Sequence, residues 1–339
     1  MRKIRIAQIG LNQYSHSLSI LHMLVTHADV FDLVGIALPE HEKTRLPAQY
    51  AAIKAYNLPE LSVQEILDDK TIEAVTVETD EVYLTEYALL AAKAGKHVHM
   101  EKPGGADVDT FKQLVDTVKQ TGKVFHTGYM YRYNPYIRDL MQRIRAGELG
   151  EIINVEAQMN CFHPKETRQW LQQFPGGMMF YLGCHLVDII LQIMGMPQKV
   201  LALNTCTGID VTDAQDFGMA VLTYQRGVSF AKASGYELGG CERRQIVVVG
   251  TKGTIELKPI EFFPPTTEKG THYTERTTYT SADWTIKGVK EQSEPFCRYG
   301  EMMRAFAAYV RGETENPYTP DYEWKLYTTI LACCGVHTE

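Results

Sequence analysis

Three short strings in this chain carry residues able to do chemistry. Glu101-Lys102-Pro103 closes the run His97 to Met100. A lysine at the carboxyl end of a parallel strand stands where open α/β sheets bind ligands. There it can hydrogen-bond a substrate hydroxyl and help move its proton. The same letters also fit a solvated Glu–Lys pair ahead of a helix-starting proline. Tyr181, His185 and Asp188 stand at i, i+4 and i+7, so a helix puts them on one face. A histidine beside a carboxylate can be oriented and tuned as an acid or base, and a half-buried structural histidine fits the pattern equally. His185 and Asp188 have no evident third ligand, so no metal site is expected.

The third string is Gly10-Leu11-Asn12-Gln13-Tyr14-Ser15. A dinucleotide site needs a strand, a glycine turn whose N–H groups reach the pyrophosphate, and a helix N-terminus facing it. Gly10 is the first glycine of G-x-G-x-x-G, while Asn12 and Ser15 take the second and third places. Asparagine tolerates positive φ, so the turn can form, but its side chain crowds the approach of a phosphate. Gln13 and Tyr14 complete the turn and count with it as candidate cofactor contacts. The second strand should end in an acid that binds the ribose hydroxyls of NAD. Here it ends Ala37-Leu38-Pro39-Glu40, with Glu40 slightly late. Lys43 and Arg45 follow, and either could pair with the 2′-phosphate of NADP. NAD and NADP both stay open, alongside a solvated loop of mixed charge.

These strings must be held by elements. Ile4 to Ile9, Leu33 to Leu38, Val75 to Val77, His97 to Met100 and Val124 to Thr127 read as strands. Helical patterns lie between them, including Leu84 to Ala94 and a helix capped by Asp107 and ended by Gly122. Strands with helical crossovers predict a mostly parallel, doubly wound sheet. Near residue 150 the rhythm changes to hairpin-linked strands interrupted by one helix from Met178 to Met194. That predicts an α+β domain on a largely antiparallel sheet. We set the dinucleotide-binding domain at 1–125 and the substrate-binding and oligomerisation domain at 126–339.

Composition narrows the function. The chain has 34 Lys+Arg against 41 Asp+Glu over 339 residues, without a basic cluster, which disfavours nucleic-acid binding. No stretch approaches the ~18 uninterrupted apolar residues of a membrane helix. Leu182 to Met196 is broken by His185, Asp188, Gln192 and Gly195. Seven cysteines without a C-x-x-C pair argue against a disulfide framework. The first residues run into a strand pattern rather than a signal core, so a cytoplasmic location is expected.

Taken together, the chain resembles the Gfo/Idh/MocA family, named for glucose–fructose oxidoreductase and inositol dehydrogenase. The resemblance rests on Ile6 to Gly10, on Ala94-Gly95-Lys96-His97-Val98 through Glu101-Lys102-Pro103, on Gly128 to Pro135, on Gly147 to Ile152, and on Gly176-Gly177 through Asp188. It covers nearly the whole chain. It implies an N-terminal Rossmann domain and a C-terminal α/β domain whose open sheet joins a homodimer or homotetramer. It also implies reversible hydride transfer between NAD or NADP and a hydroxyl-bearing carbon of a sugar or cyclitol. On this resemblance Lys102 and His185 take the catalytic positions, and Asp188 orients the substrate or the histidine. Arg132 stands near the nicotinamide or substrate, and Glu101 and Lys102 count among the cofactor contacts.

The family's pattern is altered in places. Leu38 occupies the position of the ribose-binding acid. Thr79-Asp80-Glu81 replaces Thr-Pro-Asn, setting two acids near the cofactor, and Leu84 replaces a histidine. Tyr181 replaces an aspartate and could bind a sugar hydroxyl or act as an acid/base beside the lysine. Tyr131, Arg132, Tyr133, Asn134, His163, Arg168, Trp170 and Tyr181 offer ring faces and polar donors suited to a carbohydrate, although ordinary packing also uses aromatics. Two other functions stay open on this scaffold. One is a redox-cycling lyase or glycosidase with retained NAD. The other is a non-catalytic binding module.

Overall fold

The computed structural model describes residues 2–264 and 271–337. It divides into two compact units, Met1–Tyr129 with Tyr299–Trp324, and Met130–Arg298 with Lys325–Glu339. In the first unit β1 (Ile4–Ile9), α1 (Ser17–Thr26), β2 (Phe31–Ala37), α2 (Glu42–Arg45), α3 (Pro47–Lys54) and β3 (Glu60–Leu61) follow one another. Then come α4 (Val63–Asp68), β4 (Ala74–Val77), α5 (Leu84–Lys93), β5 (His97–Met100), α6 (Val108–Thr121) and β6 (Phe125–Thr127).

The six strands pair in parallel in the order β3-β2-β1-β4-β5-β6. The order reverses between β1 and β4, which is where a doubly wound sheet opens a crevice at its carboxyl edge. Parallel strands are covered on both faces, and every residue of β4 is buried accordingly. Helix α6 buries Phe111, Leu114, Val115 and Val118 on one face. Its Asp107 side chain accepts the Thr110 N–H at 2.7 Å, and Gly122 ends it at a φ of 64°.

One row inside this sheet is polar. The register aligns Gln8 with Thr76, Thr76 with His99, and His99 with His126, all buried. His99 and His126 face each other through their Nδ1 atoms at 2.7 Å, so one of the two nitrogens donates and the other accepts. Burial lowers the His99 pKa to about 3 and keeps that ring neutral.

The second unit is built on α7 (Pro135–Arg145), β7 (Ile152–Asn160), α8 (Lys165–Trp170), α9 (Cys184–Met194), β8 (Lys199–Ala202), β9 (Phe217–Thr223), β10 (Val228–Ser234), β11 (Gln245–Gly250) and β12 (Gly253–Leu257). The strands β13 (Thr271–His272), β14 (Glu275–Tyr279), β15 (Val289–Gln292) and β16 (Phe296–Cys297) follow. Eight of these strands form one sheet, β15-β14-β12-β11-β7-β10-β9-β8, antiparallel except where β7 meets β10. Its inner face carries Val155, Ala157, Ala220, Leu222, Ala231, Ile246, Val248 and Ile255, all fully buried. Across the other face Leu201, Val221 and Phe230 line up, and the row continues through Glu156 to Val247, all partly or fully exposed.

The helix expected from Met178 to Met194 is not uniform. A π-helical turn, Met179–Gly183, precedes α9. The wider turn breaks the 3.6-residue phase that would have stacked Tyr181 directly over His185.

Helices α10 (Gly300–Arg311) and α11 (Pro320–Cys333) complete the chain. The sequence division gave Tyr299–Trp324 to the second domain, whereas this segment clusters with the first unit. The Tyr299 hydroxyl meets His16 Nδ1 at 2.7 Å, and Phe306 stacks on His126. Asn316 donates to the Phe125 carbonyl, and Thr127 donates to Glu323. Among the described residues no helix is long and apolar enough to cross a membrane.

Candidate active site

In the first unit the carboxyl ends of β1, β4 and β5 bring Gly10, Glu78 and Glu101 side by side, because Val77 pairs with Met100 and Ile9 pairs with Val77. Gly10 has a φ of +92°, and a Cβ there would lie 2.4 Å from Thr79 Cγ2. Only glycine lets the turn after β1 press against the chain leaving β4. Asn12 does not crowd the turn as its type suggests, because its side chain is used inward. Its Nδ2 donates to the Glu78 carbonyl at 3.1 Å, and its Oδ1 accepts the Ser15 N–H at 3.0 Å. Helix α1 then opens at His16 without a side-chain cap. An uncapped helix start behind a glycine cradle suits a dinucleotide phosphate, so these residues fit the cofactor of an NAD-binding fold.

Two of the turn's backbone donors are already used. Leu11 N–H donates to Glu42 Oε2 at 2.9 Å, and Asn12 N–H to Ser17 Oγ at 3.1 Å. Arg45 pairs with Asp80. Glu42 is fully buried, and burial pushes its carboxyl up to about 9. The sequence reading missed Glu42. Leu38, at the strand position where the acid was sought, instead packs on the cluster of Leu11, Leu21, Ile36, Leu46 and Ile53. Glu40 and His41 take left-handed φ values of 54° and 56°, which turn the chain back so that Glu42 reaches the glycine turn. Glu40 accepts from the Tyr87 hydroxyl at 2.6 Å, and Lys43 is spent on Glu60 at 2.8 Å. Gln13 is exposed and Tyr14 half-buried.

Lys102 is 1 % exposed, and its Nζ lies 3.7 Å from Glu101 Oε1. Ser15 Oγ donates to that same oxygen at 2.8 Å, tying the lysine loop to the glycine turn. Glu78 and Glu81 are also buried, and none of their four carboxyl oxygens has a hydrogen-bond partner among the described residues. His99 Nε2 approaches Glu78 Oε1 at 3.5 Å. Burial drives the Glu78 pKa well up, lifts Glu81 to about 8 and raises Glu101, against the pull of Lys102. Three carboxylates beside one ammonium could not all ionise in so dry a place, so this cluster stores protons.

The second unit arranges its own candidates around α9. Arg132 grips Asp188 with two bonds of 2.9 Å, Nε to Oδ2 and Nη2 to Oδ1, and Gln192 donates to Oδ2 at 3.0 Å. Both partners are buried. The Tyr131 ring stands edge-on to His185, with centroids 5.0 Å apart at 86°. Its hydroxyl donates to Glu261 at 2.6 Å, and Glu261 also accepts from Arg244 and Arg298 at 2.9 Å. The two guanidiniums overcome burial and hold the Glu261 carboxyl down at about 2. Glu261 thus anchors the tyrosine that stands against the His185 ring.

Tyr181 turns to other partners, with Trp170 edge-on at 5.1 Å and His163 at 6.0 Å. Burial lowers the His163 pKa to about 4, so the ring is neutral. Arg168 was expected to face substrate, but its side chain is fully buried. It donates to the His163 and Ile209 carbonyls and pairs with Asp216 and Asp210. That makes it a pin for the loop before β9.

The paired geometry of Arg132 gives a direct expectation. Lysine cannot reproduce a two-bond fork and would leave a buried carboxylate half satisfied. Arg132→Lys should therefore cost about 3 kcal/mol of stability. A urea midpoint equal to that of the parent protein would remove the pair as a structural anchor.

Comparison with known proteins agrees with this architecture. Residues 4–129 match the family model described as an oxidoreductase family with an NAD-binding Rossmann fold, and residues 137–256 match the GFO/IDH/MocA C-terminal domain. A scyllo-inositol 2-dehydrogenase (NADP(+)) of Bacillus subtilis is 26% identical over 250 residues, covering 70% of this chain and 68% of the relative. A D-xylose 1-dehydrogenase (NADP(+)) of Haloferax volcanii is 25% identical over 290 residues, covering 83% and 85%. The crystal structure of an aldose–aldose oxidoreductase from Caulobacter crescentus superimposes with a TM-score of 0.76 at 20% identity, over 98% of this chain and 96% of that one.

Proposed function

The chain belongs to the GFO/IDH/MocA oxidoreductase family, with an NAD(P)-binding Rossmann domain, and from that premise we propose that it transfers a hydride between NAD(P) and a hydroxyl-bearing carbon of a sugar or cyclitol. The observation that carries this reading is Lys102, a buried lysine at the carboxyl end of β5 in that Rossmann unit. Relatives named for scyllo-inositol and D-xylose support the substrate class.

The nicotinamide supplies the hydride acceptor or donor when bound. Gly10, the turn through Ser15 and the start of α1 hold the dinucleotide. Lys102 Nζ, as the neutral amine, accepts a hydrogen bond from the reacting hydroxyl, takes its proton to become the ammonium as the hydride leaves the same carbon, and returns that proton in the reverse direction. Glu101, fixed by Ser15, orients Nζ. His185 is the second proton-handling group, its ring plane set by Tyr131. Arg132 and Asp188 stiffen the start of α7 against α9 and shape the substrate side together with Tyr181, His163 and Trp170. A homodimer or homotetramer belongs to the same reading, supported by the partly exposed apolar row Leu201, Val221 and Phe230 on the outer face of the eight-stranded sheet.

The test mixes purified protein with NAD+ or NADP+ and a panel led by scyllo-inositol and D-xylose, and follows reduced nicotinamide by absorbance. His185→Asn should lower kcat by about 10²-fold with cofactor affinity kept. Dinucleotide binding without reduction by any polyol or sugar would sink the proposal. Sugar conversion without net cofactor reduction would point instead to a redox-cycling elimination.

A further inference from the structure

Oxidation of a hydroxyl leaves a proton on Lys102, and the next oxidation needs that amine neutral again. Lys102 is buried, so bulk water does not take the proton directly. Glu78 and Glu81 do not lead it outward. Both are buried, and beyond Glu78 stand His99 and His126, which are buried as well. Glu101 differs from these. Its Oε1 lies 3.7 Å from Lys102 Nζ and accepts the Ser15 hydroxyl proton in a hydrogen bond of 2.8 Å. Ser15 is half-buried, between Tyr14 and His16, which are half-buried too, and just after exposed Gln13. It is therefore the point at which the lysine cluster meets the protein surface. The Ser15 N–H donates to Asn12 Oδ1 at 3.0 Å, which holds the residue in place while its hydroxyl serves Glu101. A dinucleotide turn ordinarily places glycine here, so phosphate binding does not call for this hydroxyl.

We propose that Glu101 and Ser15 form the proton exit of Lys102, returning the lysine to its neutral form after each oxidation. The proposal rests on the hydride-transfer reading and goes beyond it by giving the released proton a route. An N–H bond of Lys102 Nζ breaks as an O–H bond forms on Glu101 Oε1. Glu101 then gives a proton to Ser15 Oγ while the Ser15 O–H proton passes to a solvent water. Rotation of the hydroxyl restores the starting hydrogen bond. One proton reaches solvent for each hydride transferred, and no reactant beyond the dinucleotide and the substrate is needed. Reduction runs the same route inward. Burial raises the Glu101 pKa, which lets that carboxylate hold a proton in transit. Ser15 acts through Glu101 and is a positioning residue.

The experiment follows reduced nicotinamide by stopped-flow absorbance on the full chain at saturating NAD+ or NADP+. The substrate is the sugar or polyol of the same panel, scyllo-inositol and D-xylose first, that the parent oxidises. Ser15→Ala removes the hydroxyl with little change of shape. Ser15→Gly also removes it and supplies the residue usual in such a turn, so a folding defect of the alanine variant does not decide the outcome. In both, the ratio of first-turnover rate to steady-state rate should rise about tenfold over the parent's, because Lys102 takes the first proton but sheds it slowly. Their steady state should also slow more in D2O than the parent's does. Ser15→Thr keeps a hydroxyl and should restore the parent ratio. An unchanged ratio in the alanine and glycine variants, or first turnover and steady state falling together, overturns the proposal and leaves the hydride-transfer reading standing. A threonine variant that behaves like the alanine variant overturns it as well. A parent protein that reduces neither dinucleotide with any member of the panel overturns both.

Discussion

Lys102→Ala should lower turnover by about three orders of magnitude, near the upper range for losing a positioned acid–base group. The loss belongs in kcat if, as proposed, Lys102 acts on the reacting hydroxyl while the turn after β1 holds the dinucleotide phosphates. Lys102→Arg separates charge from proton transfer. Arginine keeps the positive charge among Glu78, Glu81 and Glu101 but does not give up its proton in proteins. It should therefore restore much of the stability lost in the alanine variant and little of the activity. The alanine variant should still fold at mildly acidic pH, where the three buried carboxyls take up protons rather than remain as uncompensated charges. Turnover within a few-fold of the parent in either variant would show that Lys102 does not handle the proton.

The parallel layer was legible in the sequence because its strands are buried on both faces and so read as short apolar runs between helical patterns. Asp107 and Gly122 marked helix ends through chemistry local to a few residues, and local chemistry survives into the fold. The errors fall where partners are distant in the chain. Arg168 looked like a sugar-binding donor because Asp210 and Asp216, which consume it, lie beyond the π-helical turn, α9 and β8. Tyr181 was placed on one helical face with His185 because a string of helix-compatible residues says nothing about a π-helical turn. Glu42 was invisible as a turn-binding acid because two non-glycine residues, Glu40 and His41, adopt left-handed backbone that their types do not demand. Asn12 was recognised as a departure, but only tertiary contacts reveal that its amide braces the turn from within.

The buried acids also set how stability depends on pH. Glu81 sits at about 8 and Glu42 at about 9, both raised by burial above an ordinary carboxyl near 4.5. Below the unfolded value both states hold the proton, and each group's full contribution is present. Between the unfolded and folded values the folded chain holds a proton that the unfolded chain has released. Stability therefore falls as pH rises through that window, by about 1.4 kcal/mol per pH unit for each such group. Glu261 works in the opposite sense. Its carboxyl is held at about 2, so its contribution is complete above the unfolded value and is lost as pH falls toward 2. The protein should thus melt at its highest temperature near pH 5 and lose on the order of 10 °C by pH 8. Glu81→Gln supplies a neutral side chain of the same size and removes one titration from the alkaline limb. Its melting temperature should fall less steeply from pH 5 to pH 8 and exceed the parent's at pH 8. An unaltered slope would mean that Glu81 ionises as an ordinary carboxyl and that it stores no proton beside Lys102. A flattened slope would establish that Lys102 stands among carboxyl groups that still hold their protons at neutral pH.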